Sequence, residues 1–150
     1  MTALRIRPNN DFLYTANWQE IYTLTKHWKS DIEFYAYELN FLKNLTNTYF
    51  IWLNEDKNII KVEKLIKTLK DLDKECNSLL EGIQKHLEHI SALLENAFIY
   101  DEHTFRDEHA VLEEKLVTFN KTFKEVKKLV FESTEEVLNS EKLHYLMEKG

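Results

Sequence analysis

The sequence predicts an all-α protein, an elongated antiparallel three-helix bundle with coiled-coil-like packing. Three observations carry that expectation. The 150 residues include only two Gly and one Pro, too few turn formers for a many-stranded fold. Apolar residues recur at alternating steps of three and four along most of the chain, the spacing of one helical face. This pattern breaks only twice, at Asn54-Glu55-Asp56-Lys57 and at Tyr100-Asp101-Glu102-His103. The breaks leave three segments, about 10–54, 57–99 and 103–148, within one expected domain spanning residues 1–150. Connections this short join antiparallel neighbours.

The first segment has a plausible start at Pro8-Asn9-Asn10-Asp11, where polar side chains can cap a helix. Its seam runs Tyr14, Trp18, Ile21, Thr25, Trp28, Ile32, Tyr35, Leu39, Leu42, Thr46, Tyr49 and Leu53. Ser30-Asp31-Ile32-Glu33 matches a capping box. A break near Ser30 would give a four-helix bundle, which is the alternative architecture. The seam passes from Trp28 to Ile32 without a change of phase, which favours one continuous helix. The same box appears at Ser78 and Ser133, in the middle of helical pattern.

The second seam runs from Val62 through Leu69, Cys76, Ile83 and His86 to Leu93 and Ala97. The third runs from Phe105 through His109, Leu116, Phe123 and Val130 to His144. A sustained seam of this spacing packs helices lengthwise in a left-handed supercoil. Taking residue 101 as the turn places His109 level with Leu93 and Trp18. It places His86 level with Thr25 and Leu116, Lys67 with Glu135, and Lys70 with Glu132. The two histidines then stand too far apart along the bundle to share one ion.

Composition excludes several functions. With Gly82 and Gly150 as the only glycines, no GxGxxG, P-loop or GxSxG elbow can form. The net charge of −6 argues against nucleic-acid binding, which relies on a basic field. The lysines recurring from Lys57 to Lys74 are interleaved with acids and read as a solvated face. Cys76 is the only cysteine, so neither an internal disulfide nor a C-x-x-C site is available. No apolar run is long enough to span a bilayer. A cytoplasmic protein that binds neither membrane nor nucleic acid is expected.

Two features point toward function. The first segment holds 12 of the 19 aromatic residues and only eight charged ones, against 15 in residues 56–99 and 20 in 101–149. Phe34, Tyr37, Phe41, Leu45 and Trp52 form a second stripe beside its seam. A helix with two apolar faces must bury both, so the stripe is a candidate interface, for a homodimer or for another helical protein. The bland reading is a wide-faced helix covered by Lys and Glu stems from its neighbours. The leading expectation is a non-catalytic protein that self-associates, or binds another protein, through this aromatic face.

The second feature is the set of six histidines. His27, His103 and His109 each have a carboxylate four residues later, at Asp31, Asp107 and Glu113, a spacing that places both groups on one helical face. His86 and His109 fall on core positions. The alternative function is therefore a metal- or small-ligand-binding bundle, with His86, His109, Glu113, Trp18 and Tyr22 as candidate ligands. No cofactor is expected beyond such an ion, because the di-iron signature of Glu-x-x-His on two helices is not met. A buried histidine more often serves as a satisfied polar group that fixes register.

Overall fold

A computed structural model describes residues 17–50, 56–95 and 102–149. They form three helices, α1 (Trp18–Phe50), α2 (Asp56–Glu95) and α3 (Glu102–Lys149), packed as a three-helix bundle. The seam positions explain why. From Ile21 to Thr46 on α1, Val62 to Leu93 on α2 and Phe105 to Ser133 on α3, every seam residue named above is buried. The bundle core is thus the face that the three- and four-residue spacing defines.

The start of α1 differs from the expected one near residue 10. Asn17 is not helical, and it closes a reciprocal cap. Its Oδ1 accepts the Glu20 N–H at 2.8 Å, and Glu20 Oε1 accepts the Asn17 N–H at 3.4 Å. Two backbone donors at the helix start are satisfied in this way, and the Glu20 carboxylate faces the positive end of the helix dipole. The expected start at Pro8–Asp11 lies outside the described residues, as do positions 51–54 and 96–99 of the expected helices. From Trp18 onward α1 is continuous through Ser30, so the four-helix alternative is not the one realised.

The chain divides into two compact units. Unit 1 comprises Met1–Ala36 and Glu75–Asn120, and unit 2 comprises Tyr37–Lys74 and Lys121–Gly150. Within unit 1, α1 and α3 run the same way: Trp18 meets Phe105, Trp28 meets His109, and the Tyr35 hydroxyl donates to Asn120 Oδ1. The intervening α2 runs opposite. Ile21 clusters with Ile90 and Leu93, whereas the Ile32 carbonyl accepts the Cys76 thiol at 3.7 Å. The buried Thr25 hydroxyl bonds back to the Ile21 carbonyl at 2.7 Å, which removes the cost of an unpaired polar group.

Unit 2 packs Leu39, Leu42, Leu69, Leu72, Phe123 and Val130 into its own core. Thr46 repeats the back-bond, to Leu42 O at 2.8 Å. Ion pairs flank this core: Lys127 with Glu38 at 2.7 Å, Lys43 with Asp73 at 3.3 Å, and Lys61 with Glu136. The partly exposed ones contribute at most about 1 kcal/mol each.

The register between α2 and α3 is corrected by about one heptad. His109 meets His86, not Leu93, and Gly82 faces Leu112. Trp28, not Trp18, lies against His109. The lysine pairing shifts in the same way, with Lys61 reaching Glu136 in place of the expected Lys67–Glu135 and Lys70–Glu132 levels.

Gly82 sits mid-helix without a positive φ, so its conformational freedom is used for nothing. A Cβ added there would lie 3.7 Å from Leu112 Cδ1, an ordinary van der Waals contact. Gly82→Ala is expected to stabilise the protein by about 0.5–1 kcal/mol. A urea midpoint equal to or below that of the parent would contradict this.

Candidate functional site

The corrected register brings together the two core histidines. His86, from the C-terminal third of α2, and His109, from the second turn of α3, are both buried. Their Nε2 and Nδ1 atoms lie 2.6 Å apart, a hydrogen bond in which one ring donates and the other accepts. The ring centres are 4.9 Å apart and the planes differ by 24°. That separation is close to the N···N distance plus the two ring radii, so the rings meet edge to edge in nearly one plane. The N–H of one therefore points along the lone pair of the other.

Aromatic rings cover the pair. Phe105 lies parallel to His86, 4.5 Å between centroids and 4° between planes. Trp28 lies parallel to His109 at 4.6 Å and 19°. Trp18 closes one end with its ring edge-on to Phe105 at 5.2 Å, and the Arg106 guanidinium sits over Trp18 at 4.5 Å. The local sequence makes this possible. Phe105 and His109 are four apart on α3 and share its inner face, while Arg106, one position on, lies at the flank.

Electrostatics follow from burial. Desolvation, and secondarily the charge of His89, lower the His86 pKa from 6.5 to about 4. His86 is therefore neutral at pH 7 and available as either donor or acceptor.

The other candidate ligands take different places. Glu113 is buried one turn beyond His109. Trp18 and Tyr22 are half-buried against the cluster of Ile21, Ile90, Leu93 and Phe105. Tyr22 also lines a shallow groove of about 400 Å³ with Lys26, Lys29, Gln84 and Glu88. Among the described residues, no three His, Cys, Asp or Glu side chains gather into a set able to hold a metal ion. Of the other two carboxylate pairings, His103 with Asp107 at 3.5 Å is on the surface. Sequence reasoning missed Trp28, Phe105 and Arg106 as the frame of the histidine pair. The available signal was that all three flank or share the seam with a core histidine.

The second stripe on α1 is exposed. Phe34, Tyr37 and Phe41 show 46%, 76% and 55% of their surface, and Leu45 is half-buried. Lys and Glu stems from neighbouring helices do not cover these three rings. Trp52, the last member of the stripe, lies outside the described residues. Among the described residues no helix is long and apolar enough to cross a membrane.

No family model, no curated protein and no solved structure matches the chain.

Proposed function

We propose that this protein is a non-catalytic helical bundle that self-associates through the aromatic face of α1. The observation that carries the reading is the exposure of Phe34, Tyr37 and Phe41 on one continuous helix. Steps of three and four residues place them, with Leu45, along a single stripe. No member of the stripe is charged. Rings this exposed lose free energy to water, about 25 cal/mol for each Å² of apolar surface left unburied.

A second copy is a fitting occupant because the described members of the stripe, Phe34 to Leu45, are nearly symmetric about their own middle. In an antiparallel two-fold arrangement, Tyr37 comes level with Phe41 of the second copy, and Phe34 with its Leu45. An isologous contact of this kind is self-complementary without any further specialisation. The alternative occupant is another helical protein that presents its own apolar stripe.

Light scattering during gel filtration, at tens of micromolar protein, tests the proposal. The parent chain should elute as a dimer. Phe41→Glu should shift it to monomer with unchanged helical circular dichroism, because burying a carboxylate in that contact is strongly unfavourable. A parent chain that is monomeric at this concentration would reject self-association and leave the stripe to a different partner.

A further inference from the structure

Five of the six histidines fall within the residue ranges of unit 1, and His144 alone within those of unit 2. Two of the five form the buried, in-plane hydrogen bond between α2 and α3. Such a bond tolerates limited protonation. In the neutral pair one facing nitrogen carries a proton and the other carries a lone pair. One added proton produces an imidazolium that still donates to a neutral ring. A second leaves two N–H groups opposed and two positive charges at a hydrogen-bond distance, where both cannot be retained together.

Aromatic rings lie over both imidazoles. Phe105 covers a face of His86, and Trp28 covers a face of His109. Other titratable groups stand on all three helices. α1 carries half-buried His27 and buried Asp31, α2 carries exposed His89, and α3 carries buried Arg106 and Glu113. Of these, the charge of His89 opposes a proton on His86. Burial then dominates, and the low pKa of His86, about 4, reflects it.

We propose that the His86–His109 pair is an acid-sensitive latch of unit 1, holding α2 to α3 beneath Trp28 while it is uncharged and releasing them when both rings become protonated. The sign follows from linkage. A histidine held below its unfolded value of 6.5 contributes stability that is fully present above 6.5 and is lost as pH falls toward 4. Among the described residues of unit 2 there is no equivalent, since its described core consists of residues such as Leu39, Leu69 and Phe123 and contains no histidine. Acid should therefore loosen unit 1 selectively.

Hydrogen exchange of the full chain, read by mass spectrometry at pH 7.5 and 4.5 and corrected for intrinsic rates, tests this. In the parent, peptides from 18–36, 76–95 and 103–120 should gain at least about ten-fold in exchange relative to those from 39–50, 60–74 and 121–136. The double variant His86→Leu with His109→Leu removes both titrating rings and should abolish that differential gain. His109→Asn provides a second reading, should the double variant not fold. Its amide can still pair with His86 but cannot take a proton, so the gain should shrink. An unchanged ratio in the parent, equal acceleration in both units, or a parent-like gain in either foldable variant would overturn the latch.

Discussion

Trp28→Ala is expected to destabilise the chain by about 3–5 kcal/mol, the range for truncating a fully buried large aromatic. Trp28 has no exposed surface and ranks among the largest fully buried side chains. Its removal would forfeit the transfer energy of the indole and open a cavity that α1 cannot close alone. It would also strip the cover from His109, 4.6 Å away between ring centres. Water admitted there would compete for the N–H···N bond to His86. Trp28→Phe keeps a ring over the imidazole and should cost markedly less. Urea unfolding followed by circular dichroism gives the measurement, with the midpoint shifting and the slope preserved. A loss below about 1 kcal/mol would show that the site collapses readily and that the stack carries little of unit 1's stability.

Trp28 also shows how much of the fold the sequence exposes. Its position in a run from Ile21 to Leu42 marks it as core before any coordinates are known, and it is core. The same holds for Leu69, Ile83, Leu116 and Phe123. Periodicity reports which side of a helix faces inward, because burial requires the three- and four-residue spacing. It does not report which turn of one helix meets which turn of the next. A slip of seven residues returns every seam position to another seam position, so apolar pattern alone is degenerate to one heptad. The degeneracy is lifted only by groups that need a particular partner. His86 needs His109, Tyr35 needs Asn120, and Glu38 finds Lys127. Matching those polar residues across helices would have located the observed register.

The candidate site was legible to the same extent. His86 and His109 were readable as core histidines because they occupy seam positions. Their meeting was not, because it depends on the slip. Asp31, Arg106 and Glu113 are buried although each lies one position off the strict seam. At this crossing the buried face is wider than the two-position seam, which lets charged residues flank the histidine pair. Asn17 and Glu20 were a capping box in plain view. The richer cluster at Pro8 to Asp11 competed with it, and cap chemistry alone does not rank two starts six to nine residues apart.

Ser30→Pro is expected to cost about 3 kcal/mol or more, and it separates the continuous α1 from a helix broken at the same place. Ser30 is exposed, so the change removes no core packing and isolates the backbone effect. In a continuous helix the Ser30 N–H bonds to the carbonyl four residues back, at Lys26. Proline deletes that donor and drives its ring against the same carbonyl. The bend would fall between Trp28 and Ile32, both without exposed surface, so the core of unit 1 would be disturbed along with the helix. Had Ser30 instead capped a separate helix, its N–H would lie outside the intrahelical ladder, and the substitution would cost only about the value of the cap, 0.5–2 kcal/mol. Ser30→Ala completes the comparison. In a continuous helix alanine is a better former than serine and should be neutral or slightly stabilising, whereas at a cap it should destabilise. The pair of variants thus gives opposite signs for alanine under the two architectures, read from urea midpoints in one experiment. The unbroken seam from Trp28 to Ile32 requires a large loss with proline and none with alanine.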